Sequence, residues 1–138
     1  MTSTTSLLIL LSMVFCHLID DYKIQGILAD MKQREWWKRN APDRLYKYDY
    51  IVALIEHSFS WTFSIHLPII IYGIISHIVI PTPALIVTFV FSMVGHAVTD
   101  DLKANKKYIN LIIDQSIHLV QIVTIWCWYL ILFKGIEV

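Results

Sequence analysis

The chain has few of the residues that bend or cross-link a small domain: four glycines, four prolines and two cysteines in 138 residues. Cys16 and Cys127 both lie inside hydrophobic runs, with no CxxC or CxxxC spacing. Neither a zinc ribbon nor a disulfide framework is encoded, and both read as small buried hydrophobes. Net charge is also missing, since eleven basic residues balance eleven acidic ones. That balance excludes the broad basic face of a phosphate-tracking protein, so no nucleic-acid partner is expected. No basic residue precedes Lys23, and the first apolar run leads into His17 instead of a small-residue cleavage site. A cleaved signal peptide is therefore not expected.

What is present is hydrocarbon. Hydrophobic residues make up 57% of the chain and the mean hydropathy is +0.59, against roughly half apolar in an ordinary soluble domain. A spanning helix needs about 20 mainly apolar residues. Four segments qualify, at about 5–22, 50–76, 83–102 and 108–133. The predicted fold is all-α: one transmembrane domain over residues 1–138, an integral membrane four-helix bundle with a short interfacial segment between helices 1 and 2. Pro68, followed by Gly73, predicts a kink in the second span.

Charge distribution sets the expected orientation. Seven of the eleven basic residues lie between Lys23 and Lys47 and three between Lys103 and Lys107. By the positive-inside rule these loops face the cytoplasm and both termini the outer side, with a bacterial inner membrane as the expected location. The first basic loop interleaves its cations with Trp36, Trp37, Tyr46 and Tyr48, as at a headgroup boundary. Met31–Arg39 is suited to a short surface helix or to a solvated loop.

Chemistry enters through one repeated spacing. His17 and Asp21, His96 and Asp100, and Asp114 and His118 are each four residues apart, which puts both side chains on one helix face. The same spacing presents two ligands to one metal in helical motifs. Alternating helix directions bring all three pairs to the cytoplasmic end, with His57 about 10 Å into the second span at 1.5 Å per residue. A charge near a helix centre costs on the order of 3 kcal/mol on insertion scales, so these groups must be paired.

Two pairings remain open. One is a divalent metal, with His17, Asp21, His57, His96, Asp100, Asp114 and His118 as candidate ligands and zinc ahead of manganese or iron. Seven candidates exceed one tetrahedral shell, so either two metals bind or some residues only support the others. The second is a metal-free His-Asp network that includes Lys103 and Gln115 and holds the bundle together or relays protons. Glu56 is a candidate general base, while Gln25, Lys103 and Gln115 are candidates for orienting substrate or ligands. His66 and His77 read as packing or interfacial residues.

The segments 17–25 (HLIDDYKIQ), 56–58 (EHS), 96–103 (HAVTDDLK) and 114–118 (DQSIH) resemble domain-of-unknown-function family 3307, a family of small bacterial and phage membrane proteins. The likeness runs over nearly the whole chain. The first family motif reads approximately His-x-x-x-Asp-Phe-x-Leu-Gln, so Tyr22 and Ile24 are conservative departures and Asp21 takes the motif aspartate. The resemblance supports the sites and implies no reaction.

The leading functional expectation is a metal-dependent hydrolase acting on a lipid-like or membrane-associated substrate. Its rivals are a proton or metal-ion transporter using the same layer, and a holin-like or partner-binding phage membrane protein. The lipid bilayer is the expected partner, and a homo-oligomer is compatible with the sequence.

Overall fold

The computed structural model describes residues 2–136. Among them there is no strand. Six α-helices follow in order: α1 (Ser3–Ile19), α2 (Leu28–Met31), α3 (Arg34–Asn40), α4 (Asp49–Ile75), α5 (Thr82–Ala104) and α6 (Leu111–Ile136). A π turn (Asp20–Ile24) extends α1, and a 3-10 turn (Arg44–Tyr46) precedes α4. Four of the helical stretches are long and apolar enough to cross a membrane, Ser3–Ile24, Arg44–Ile75, Thr82–Ala104 and Leu111–Gly135.

Local chemistry sets the ends. Thr2 caps α1 by accepting from the Thr5 backbone N–H at 3.2 Å. Gly26, at φ +50, turns the chain away after the π turn, a conformation that glycine adopts without steric penalty. At the far end of α4, His77 takes φ 54, and the amides of His77 and Ile78 donate to the carbonyls of Ile74 and Gly73 at 3.3 and 2.9 Å. That is a Schellman closure, so His77 ends the helix. The fourth long helix starts at Leu111, three residues later than the hydrophobic run, because Asn110 Oδ1 accepts from Ile113 N at 3.0 Å and fixes the cap. α4 continues as one helix through Pro68.

One expectation is narrowed and one corrected. The short helix of the first basic loop forms over Arg34–Asn40 and does not reach back to Met31, since the chain breaks at Lys32–Gln33, where Lys32 is buried, as described below. Cys127 is exposed on the outside of α6 and Cys16 is only partly covered. The Cys127 position faces away from the bundle centre, where an apolar surface suits a thiol as well as a core does.

The four long helices close a ring in which α1 touches α4 and α6, and α5 touches both α4 and α6. The interior divides along the helix axes. In the half away from the basic segments, Ile9, Met13, Trp61, Ile65, Ile69, Ile122, Ile125, Tyr129 and Phe133 pack into one apolar core. The other half is filled by histidines and aspartates. On the outer faces, Leu7, Leu11, Phe15, Phe59, Phe91 and Val120 are exposed, the surface expected of helices solvated by lipid.

Candidate metal centre

The π turn shapes the first contribution. Its Gln25 N–H reaches back five residues to the Asp20 carbonyl at 3.0 Å, and the extra residue per turn lets the adjacent Asp20 and Asp21 both face inward, where both are buried. Asp20 Oδ1 accepts from Ser60 and Ser64 of α4 at 2.7 and 3.1 Å. Its Oδ2 lies 3.8 Å from His57 Nδ1, so Asp20 stands behind the ring while Asp21 stands in front.

In front of that ring, donors from three long helices meet. The Nε2 atoms of His57 and His96 are 3.1 Å apart. Asp21 Oδ1 lies 3.4 Å from His57 Nε2 and 4.0 Å from His96 Nε2. Asp100 Oδ2 lies 3.4 and 3.7 Å from the same two nitrogens. An ion bonded at about 2.1 Å to tetrahedral ligands would hold them about 3.4 Å apart. Asp21, His57 and His96 form one compact group, and His96, Asp100 and His118 form another, each with its donor atoms within 4.8 Å of one another.

The second group continues into α6. His118 Nε2 faces Asp100 Oδ1 at 3.3 Å and Asp114 Oδ1 at 3.6 Å. Its Nδ1 lies 3.2 Å from Gln121 Oε1 and donates to it, which leaves the Nε2 lone pair of a neutral ring pointing at two carboxylates. That arrangement is repulsive without positive charge, supplied either by a proton on the ring or by a cation between the groups. Asp21 Oδ1, Asp114 Oδ1 and His118 Nε2 are all buried without a hydrogen-bond partner among the described residues.

His17 is held differently. The Trp61 indole N–H donates to His17 Nδ1 at 2.8 Å, and an indole nitrogen can only donate. The lone pair on Nδ1 is therefore occupied and the proton of neutral His17 sits on Nε2. The Trp61 ring also stacks on His96 at 4.2 Å and 19°, and His118 stacks against His96 at 4.2 Å and 29°.

Two lysines enter from the basic segments. Lys32 Nζ is 2.5 Å from Asp100 Oδ2 and 3.1 Å from Gln25 Oε1. Asn105 clasps the same segment, accepting from Arg34 N at 2.8 Å and donating to the Lys32 carbonyl at 3.0 Å. Lys103 Nζ is 2.5 Å from Asp114 Oδ2. Gln115 Nε2 bridges Asp21 Oδ2 and Asp114 Oδ2 at 3.1 and 3.0 Å, and Gln25 donates to the Asp21 backbone carbonyl. Four buried carboxylates, Asp20, Asp21, Asp100 and Asp114, against the ammoniums of Lys32 and Lys103 leave a formal charge of −2 with neutral imidazoles. One divalent cation or two protons would balance it.

Residues 8–137 match a family described as "Protein of unknown function (DUF3307)". The chain belongs to that family. No curated protein and no solved structure matches it. All residues of the cluster lie inside the DUF3307 match, so the polar layer is part of the family segment.

Within this DUF3307 chain the three spaced pairs and His57 converge on one layer, with His17 at its edge. Glu56 does not join them. It is exposed, because its position one residue before His57 points it about 100° away on the helix. His66 is fully buried but lies more than two turns beyond His57, with Nδ1 donating to the Thr62 carbonyl at 2.8 Å. His77 serves as the α4 cap.

Sequence reasoning missed Asp20, Lys32, Trp61 and Gln121. For Asp20 the doubled acid at the end of an apolar run was the available signal. Lys32 was signalled only by charge balance, since the spans hold more carboxylates than cations. Trp61 and Gln121 gave no signal, because their roles depend on which rings the bundle places beside them.

Proposed function

We propose that this chain is a membrane-spanning metal-binding protein that acts as a metal-dependent hydrolase on a lipid-like or membrane-associated substrate. The observation that carries the reading is the convergence of His57 Nε2, His96 Nε2, Asp21 Oδ1 and Asp100 Oδ2 at separations of 3.1 to 4.0 Å. Two imidazoles with two carboxylates suit zinc first, then manganese or iron. The −2 charge matches one divalent ion and needs no second.

The residues divide into roles. Asp21, His57, His96 and Asp100 hold the ion. Asp20 stands behind His57 with Oδ2 3.8 Å from Nδ1, where its charge favours a proton on that nitrogen and leaves the Nε2 lone pair for the ion. Trp61 fixes His17, which lines the layer and is not a ligand. With four protein ligands a tetrahedral shell would be closed, so hydrolysis would require the ion to expand to five or more ligands, and water in that added position would have its pKa lowered toward about 7. His118 with Asp114 is the adjoining pair able to take its proton, the role Glu56 cannot fill from its exposed position. Lys103 and Gln115 hold Asp114, and Gln25 steadies Asp21. The layer lies at the end of the bundle carrying the basic segments, the end assigned to the cytoplasmic face of a bacterial inner membrane by the positive-inside rule.

Transport is the second reading, favoured by Thr62 Oγ1 and His66 Nε2, which are buried beyond the layer without hydrogen-bond partners among the described residues. Against it stands the packing that follows. Ile65, Ile69, Ile122, Ile125 and Phe133 fill most of the remaining interior, and Tyr129, the hydroxyl-bearing residue of that core, has its hydroxyl tied to Thr88 Oγ1 at 2.8 Å.

Proteoliposomes made with the host's polar lipids, with metal supplied outside, separate the two. The hydrolase reading expects metal-dependent appearance of cleaved lipid products by mass spectrometry, lowered about 100-fold or more by Asp100→Asn. Metal or proton uptake into the lumen without any cleaved product would replace it with transport.

A further inference from the structure

A second site lies outside the histidine layer, on the basic segment before α4. A cavity of about 510 Å³ opens there, between α3, the 3-10 turn and the start of α4. Arg34, Lys38, Arg44 and Lys47 contribute four cations to its lining and Asp43 one acid. Lys38 is already paired with Glu35 at 2.6 Å, and Asp43 Oδ1 is engaged in capping the 3-10 turn through Leu45 N at 3.0 Å. Among the described residues Arg34, Arg44 and Lys47 have no ion-pair partner. Three exposed cations around one hollow repel each other unless an anion joins them.

The walls are built and not merely charged. The Arg34 guanidinium sits over the Tyr50 ring at 4.5 Å, a cation–π contact that fixes the direction of its donors, and its backbone N–H is held by Asn105. Trp37 stacks on Tyr46 with centroids 6.4 Å apart and 20° between planes, and the Trp37 N–H is anchored on the Met31 carbonyl at 2.6 Å. Simple retention of charge on one side of a membrane needs neither a hollow nor an oriented guanidinium.

We propose that this cavity binds the phosphate of an anionic lipid headgroup. Guanidinium forks match phosphate oxygens in pairs, with ammoniums adding point charge. The lipid source follows from the rim, where Leu45 and Tyr48 are 76% and 61% exposed beside the cations. An apolar side chain and a ring next to a phosphate site suit a boundary where acyl chains and headgroups meet. The proposal does not depend on metal in the histidine layer.

The test uses the full-length protein in detergent, with native mass spectrometry counting lipids retained from equimolar phosphatidylglycerol and phosphatidylcholine. The expected result is a preference for phosphatidylglycerol that Arg44→Gln/Lys47→Gln lowers by about tenfold. Lys106→Gln/Lys107→Gln, which removes the same charge at the same end of the bundle but outside the cavity, should leave it unchanged. Equal loss in the two double variants, or no preference in the unmodified protein, overturns the proposal. Displacement of the lipid by millimolar inorganic phosphate overturns the lipid source and assigns the cavity to soluble phosphate.

Discussion

His57 and His96 meet Nε2 to Nε2 at 3.1 Å, from helices that run in opposite directions. Their rings are tilted 61° to each other, and the Nδ1 atom of each is buried without a hydrogen-bond partner among the described residues. Neutral rings satisfy this contact only if one donates to the other, whereas a cation between them accepts both lone pairs. His96 also stacks against both Trp61 and His118 at 4.2 Å, and those two rings lie 5.5 Å from each other, so the three close a triangle.

Replacing that ring with another of similar shape separates packing from ligation. His96→Phe keeps an aromatic ring against Trp61 and His118 but enlarges it at a fully buried position, so the loss of stability in the metal-free protein should stay within about 3 kcal/mol. Divalent-metal binding should be lost altogether. Thermal melting in detergent with and without metal checks both halves, and retention of a metal-induced rise in Tm by the variant would remove His96 from the ligand set.

Lys32 gives a prediction of opposite sign in the two states. Without metal, Lys32→Met leaves Asp100 buried and lacking its nearest cation, a loss of about 3 kcal/mol or more. With metal, the ion takes over that neutralisation and no ammonium competes for Asp100 Oδ2, so affinity should rise. The metal-induced increase in Tm should thus be larger in the variant than in the unmodified chain. An equal increase in both would show that Lys32 and the ion do not share Asp100.

Much of this site was legible in the primary structure, but only as periodicity. Spacings of four residues placed His17 with Asp21, His96 with Asp100 and Asp114 with His118 on common helix faces, and helix alternation carried them to one end. The spacing cannot say which lone pair is free. His17 shares the pattern of His96, yet the indole of Trp61 occupies its Nδ1, and that contact spans 44 residues of sequence. Asp20 was hidden for a local reason, since a regular helix would aim two adjacent aspartates about 100° apart and only the π turn buries both. Lys32 was read as surface because it sits in a basic loop, and no periodicity marks a loop residue that folds inward.

Trp61→Phe tests the assignment of His17. The substitution preserves the stack on His96 but removes the only donor to His17 Nδ1 among the described residues. Metal stoichiometry should be unchanged and affinity should fall by less than about 10-fold, the scale for losing support of a ligand, because His17 lies outside the ligand set. Loss of the metal would instead make His17 a ligand whose geometry Trp61 sets.

Gly95 admits the side chain that orients His118. A Cβ at this position would lie 2.5 Å from Gln121 Nε2, so Gly95→Ala should displace a flexible amide at a stability loss below about 1 kcal/mol and, by loosening His118 from the ligand Asp100 that it faces at 3.3 Å, weaken metal binding by up to about 10-fold. In a Gln121→Ala background the same substitution should have no further effect on affinity. An additive loss in the double variant would mean that Gly95 acts through backbone packing and not through Gln121.

The central claim is that the −2 charge of the buried layer is matched by a divalent cation held by Asp21, His57, His96 and Asp100. Elemental analysis of the detergent-purified protein after metal supplementation and desalting tests it directly, with Asp100→Asn alongside. The account predicts about one zinc, manganese or iron ion per chain, lost in Asp100→Asn. A folded, helical protein holding less than about one-tenth of an ion per chain would contradict it and leave the layer as a protonated His-Asp network.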